Sequence, residues 1–121
     1  MRAQLIVGLM LLASSIGCTG EITVAQASDS YKVNRDYTSL KVIYTALSKG
    51  MSRKKVQSLL GEPEYSPTEG QYYYLSDHRE QANGNSLSEQ KFPAGIVVDY
   101  RNQNLELTDS LQDYWMGPIG E

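Results

Sequence analysis

Residues 38–63, TSLKVIYTALSKGMSRKKVQSLLGEP, spell two short amphipathic helices end to end, and this stretch restricts the whole fold. Leu40, Ile43, Tyr44 and Leu47 follow the i, i+3, i+4, i+7 spacing of a helix with one apolar stripe, behind an N-cap candidate in Thr38 or Ser39. Gly50 stops that helix. Ser52 opens the second, whose buried side is Val56, Leu59 and Leu60, and which ends at Gly61 in the C′ position with Pro63 beyond. Both are shorter than an isolated helix must be to persist in water. The rest of the chain must therefore supply an apolar surface for them to lie on.

Three segments rich in aromatic and β-branched residues are predicted to provide it: GQYYYLS (70–76), AGIVVDYR (94–101) and LELTD (105–109), with a hairpin turn at Asn102 to Asn104. The expected architecture is α+β, with two short helices packed on one face of a three-stranded antiparallel meander. DHREQANGNSLSEQKFP (77–93) is too polar to pack and reads as a mobile loop. SLQDYWMGPIGE at the end reads as one helical turn around Leu111, Tyr114 and Trp115, folded back over an edge of the core. Tyr72, Tyr73 and Tyr74 stand in a row in a chain with nine tyrosines, one phenylalanine and one tryptophan. Strand side chains alternate between faces, so one face carries tyrosine for a reason other than the core.

At 121 residues the chain has room for one domain, and its net charge of −3 supplies no basic field for nucleic-acid phosphates. One histidine and one cysteine cannot make a transition-metal site, and the acids lack the spacing of a calcium loop, so no metal and no cofactor is expected. Residues 1–17 read as a signal peptide: Arg2 makes a short positive start, and Leu5 to Gly17 is apolar but too short to span a bilayer. Two processing sites compete. Cys18 after SSIG resembles a bacterial lipobox, although Ser15 stands where that motif usually has leucine. AQA (Ala25 to Ala27) is an alternative cleavage site that would release a soluble chain at Ser28. Acylation also explains a lone cysteine in an exported protein. Residues 18–37 are polar and without sustained periodicity, and suit a flexible tether before a domain at 38–121.

Gly50 and Met51 followed by Val56, Leu60, Gly61 and Pro63, then an aromatic strand and a hairpin, resemble the BamE/SmpA (OmlA-like) family of small outer-membrane lipoproteins over about residues 39–109. The resemblance implies that Tyr72 and Tyr74 point inward with Ile96, Val98, Tyr100, Leu105 and Leu107, and that Tyr73, Leu75 and Val97 form an apolar patch on the opposite face. It further implies a periplasmic or outer-membrane location, a lipid anchor, and a protein partner such as a component of outer-membrane β-barrel assembly. Members that join that machine usually carry a Gln-Gly-Asn type segment ahead of the first helix, and SYKVNRDYTSL has none. The same helix-pair-on-sheet unit resembles a repeat of the β-lactamase-inhibitory proteins, which makes an enzyme inhibitor the alternative function.

No catalytic residues are expected. Ser76, Asp77 and His78 are triad residue types, but neighbours on one loop cannot adopt triad geometry. Lys49, Arg53, Lys54 and Lys55 gather at the start of the second helix, where cations oppose the helix dipole, and are candidates for an anionic surface or acidic partner. The partner-binding candidates are Tyr73, Leu75 and Val97, and the lipidation site is Cys18.

Overall fold

The computed structural model describes residues 22–81 and 90–120. The fold is α+β. Three helices, α1 (Val24–Asn34), α2 (Tyr37–Ala46) and α3 (Arg53–Leu60), are followed by β1 (Tyr65–Thr68), β2 (Gln71–Gln81), β3 (Lys91–Asp99) and β4 (Asp113–Pro118). The strands form one antiparallel sheet in the order β1-β2-β3-β4, one strand more than the expected meander.

The two expected helices are present with their expected stripes. Leu40, Ile43 and Leu47 of the first, and Val56, Leu59 and Leu60 of the second, are buried in one core with Tyr74, Ile96, Val98, Tyr100 and Leu111. The cap of α2 is Asp36 instead of Thr38 or Ser39: its carboxylate accepts from Ser39 N at 3.1 Å and from Ser30 Oγ at 2.8 Å. Ser52 caps α3 as expected, accepting from Lys55 N at 3.1 Å. Gly61 ends α3 at φ 78°, ψ −142°, positive as its C′ role requires but outside the left-handed helical well, in a region only glycine occupies readily.

The tether expected over 18–37 is corrected from residue 24 onward, because α1 is an integral helix. Thr23 and Gln26 form a reciprocal capping box, with Thr23 Oγ1 accepting from Gln26 N at 3.1 Å and Gln26 Oε1 accepting from Thr23 N at 2.9 Å. Ala27, Ser28 and Tyr31 make its buried stripe, and α1 packs against both α2 and α3. A helix leaves its last carbonyls without internal partners. Here α1 supplies them: Ser28 Oγ donates to Leu59 O at 2.7 Å, and Lys32 Nζ to Ser58 O at 3.1 Å. Tyr31 is fully buried and donates to Leu75 O of β2 at 2.6 Å, tying α1 to the sheet.

Two other expectations change. LELTD is not the third strand. Asn102 Oδ1 accepts from the N–H groups of both Asn104 and Glu106, Leu105 sits at φ 62°, and Leu105 and Leu107 are exposed instead of in the core. This side-chain-organised turn leads the chain past the sheet edge, where Gly50 N and Leu111 N exchange bonds with Leu111 O and Met51 O, fastening the loop to the start of α3. The expected helical turn at the C-terminus is β4, antiparallel to β3, with Val98 opposite Tyr114 and Ile96 opposite Met116. In the 77–93 segment expected to be a loop, β2 runs on to Gln81 and β3 starts at Lys91, with a register shift between Leu75 and Arg79. Residues 82–89 of that segment lie outside the described residues, as do Cys18 and the leader.

Candidate functional site

The three helices among the described residues lie on one side of the sheet. Alternation then fixes what the other side carries. In the register Tyr65↔Tyr73, Tyr73↔Val97 and Val97↔Trp115, one row of apolar side chains crosses all four strands on the uncovered face. Tyr65 and Trp115 at its ends are 53% and 45% exposed, whereas Val97 in the middle is 2% exposed. Of the three predicted patch residues, Tyr73 and Leu75 are half-buried on this face, and Val97 belongs to the row but is covered. Tyr65 and Tyr73 pack ring against ring with centroids 5.5 Å apart.

Below this row is a groove of about 270 Å³ walled by Tyr65, Tyr73, Leu75, Phe92, Pro93 and Ile119, with the exposed Arg79 among its lining. Gly95 lies opposite Leu75 and Gly117 opposite Gly95, so no side chain rises between them. A Cβ at Gly95 would run into Tyr74 O and stand 3.0 Å from Ile119 Cδ1, which is why this position holds glycine. Tyr65, Trp115, Phe92 and Ile119 were missed as site residues. Trp115 was hidden because Tyr114, Trp115 and Met116 are all large and apolar, which erases the period of two that marks a strand.

The free edges beside this face offer little room for an added strand. β1 carries Pro67 and β4 carries Pro118, neither with an N–H to give, and the Tyr114 N–H is already taken by Asp113 Oδ1 at 2.9 Å.

The basic cluster breaks up in space. Arg53 is turned inward: its guanidinium lies 5.2 Å and 5.0 Å from the Tyr72 and Tyr100 ring centres, and Nη2 donates to Tyr72 Oη at 2.7 Å. It is a cation held between two rings and not a free surface charge, so it leaves the anionic-surface set. Lys49 is 3.9 Å from Asp113, and Lys54 and Lys55 are exposed. The Ser76, Asp77, His78 stretch is likewise dispersed. Ser76 Oγ donates to Ala94 O at 2.6 Å, Asp77 Oδ1 accepts from Tyr37 N at 3.1 Å, and His78 stacks on Tyr37 with centroids 4.3 Å apart and Nε2 3.4 Å from Glu80. At the far end of the outer face Asp99 stands opposite Asp113, and like charges there would repel. Arg101 relieves this with two bonds to Asp99, at 2.9 and 2.8 Å, and holds that carboxyl below its usual range.

Among the described residues no group of three or more His, Cys, Asp or Glu converges as metal ligands, and no helix is long and apolar enough to cross a membrane. No family model, curated protein or solved structure matches the chain.

Proposed function

We propose that this is an exported, lipid-anchored envelope protein whose domain is a non-catalytic binding scaffold, as the BamE-like resemblance implies, and that it engages a protein partner through the outer face of its sheet. The observation that carries the reading is the aromatic row from Tyr65 to Trp115 on a face that none of the described helices covers. Tyrosine and tryptophan suit such a role, since each gives wide apolar contact and a polar handle for little rotamer entropy.

Anchoring at Cys18 fits the fold better than release after Ala27. Cleavage there would discard the Thr23 cap and the buried Ala27, and leave Ser28, which holds the end of α3, as a charged N-terminus. With Cys18 acylated, four residues separate the anchor from Thr23, a reach of roughly 18 Å at most, so the domain would sit close to the periplasmic surface of the outer membrane.

A photoreactive amino acid at position 73 in the full-length exported chain tests the reading. Capture of a membrane β-barrel protein or its assembly factor supports the scaffold. Capture of a soluble enzyme whose activity falls supports the inhibitor alternative. Absence of any captured protein, with efficient capture from a helix position such as Lys54, would move the binding surface to the other side. Intact mass of the mature protein settles the anchor: an unlipidated N-terminus at Ser28 would overturn it.

A further inference from the structure

The outer face has unlike ends. At one end β4 presents the exposed indole of Trp115 and, two residues before it, the exposed carboxylate of Asp113, which Lys49 approaches only to 3.9 Å; Asp99 beside it is held by Arg101. At the other end lies the apolar groove, with Arg79 in its wall and Lys91 beyond it at the end of the hairpin. Among the described residues neither Arg79 nor Lys91 has a carboxylate within ion-pair distance; Arg79 Nη2 donates only to Lys91 O, at 2.7 Å. The exposed indole at one end is complementary to the apolar groove at the other, and the exposed Asp113 carboxylate, held only loosely by Lys49, to the two cations beside that groove.

We propose that this face pairs with the same face of a second copy of the chain, in a two-fold, face-to-face dimer. This rests on the reading that the outer face is an interaction face, and names an occupant for it. The register supplies the geometry. With the two-fold axis lying between the sheets and crossing the strands at the level of Gly95 and Gly117, each residue one pair above the axis lies over its counterpart one pair below in the other copy. Val97 and Trp115 then cover Pro93 and Ile119, and Tyr73 covers Arg79. Asp113 comes over the end carrying Lys91, and its exposed, long pair with Lys49 is weak enough to be exchanged there. Aligned packing of two sheets is a standard arrangement, and a two-fold interface needs a self-complementary patch of this kind. The bare glycines let the faces approach, and the indole already leans toward them: its Cζ3 is 3.4 Å from where a Cβ on Gly117 would stand.

Sedimentation equilibrium of the full chain carrying Cys18→Ala, run over a concentration series, reads the association directly. The expected result is a reversible monomer–dimer equilibrium in which Trp115→Ala raises the dissociation constant at least about tenfold. Asp113→Lys and Lys91→Asp should each weaken the dimer about threefold to tenfold, and the double exchange should restore it. Melting curves check that each variant is folded; exposed charges at a strand end are tolerant positions, so the exchange remains informative even if Trp115→Ala is unstable. A chain that stays monomeric to on the order of 100 μM, or a dimer indifferent to both Trp115→Ala and the charge exchange, overturns the proposal. A monomer that still captures a partner from position 73 overturns the dimer alone, whereas a dimer that captures only itself overturns the heterologous partner.

Discussion

Tyr74 and Tyr73 are neighbours in β2 with opposite surroundings. Tyr74 is 1% exposed beneath the helices, in the core with Ile96, Val98 and Tyr100, whereas Tyr73 is half-buried on the face away from the described helices. The same side chain, one residue apart, serves packing on one side of the sheet and surface on the other. What separates the roles is the helix layer, and its central member is α1, the helix least visible in the sequence.

Burial on the helix side pushes the phenols of Tyr31, Tyr74 and Tyr100 up, that of Tyr100 to about 12. An unfolded tyrosine ionises near pH ~10, so below that pH both states are protonated and the stabilising contribution is complete. Above it the unfolded chain loses protons first, and stability falls as pH rises through the folded values. Absorbance of phenolate followed from pH ~9 to ~12.5 should therefore show a late group of tyrosines ionising together with loss of far-ultraviolet dichroism. Smooth titration of all the tyrosines with the fold intact would contradict the buried assignment.

Tyr74→Ser tests the same side at one position. It removes a large ring from a closed core and should cost about 3–4 kcal/mol in denaturant unfolding. A loss below about 1 kcal/mol would mean that the faces are exchanged.

The hydroxyls sharpen the comparison within the core itself. Tyr31 Oη donates to Leu75 O across the junction of α1 and β2, so Tyr31→Phe removes the bond that ties them at a part-buried carbonyl and should cost about 1 kcal/mol. Among the described residues the buried Tyr100 Oη has no hydrogen-bond partner, so Tyr100→Phe should be neutral or stabilise by up to about 1 kcal/mol. Opposite signs for the same chemical change would show α1 to be fixed structure and not a tether.

Why α1 escaped the sequence reading is itself physical. Its buried positions include Ala27 and Ser28, chosen for close approach to α3 and for bonding its terminal carbonyls, and periodicity that counts large apolar residues does not register them. The Thr23 and Gln26 capping box was legible and marks the start. The stripes of α2 and α3, the Ser52 cap and the inward set Tyr74, Ile96, Val98 and Tyr100 could be read because large apolar residues and glycine punctuation agree there. LELTD alternates as a strand would, but Asn102 organises a turn whose geometry forces Leu105 to positive φ, and only the tertiary path shows β4 taking the edge. The outer face was half legible: Tyr73 and Leu75 followed from alternation within β2, whereas Tyr65 and Trp115 depend on strands that pair across the fold.

The smallest expected change in stability falls on Tyr73, and it is the most informative about function. Its ring packs on Tyr65 and over one side of Val97, so Tyr73→Ser loses some contact but opens no closed cavity, and should shift unfolding by about 1 kcal/mol or less. If the outer face binds, the same substitution should weaken association with its partner at least about tenfold, because an aromatic near the centre of an interface loses its whole contact on truncation. The ratio of the two effects separates surface from core: Tyr74→Ser should abolish binding only in proportion to the fraction unfolded, while Tyr73→Ser should do so in a folded domain. Tyr73→Phe completes the set by keeping the ring and removing the hydroxyl. Binding restored by Phe would assign the role to apolar contact with the groove wall, and binding still lost would assign it to a hydrogen bond made by the phenol. A Tyr73→Ser variant that is folded and binds as well as the parent would remove the centre of the aromatic row from any interface, and with it the case for the outer face.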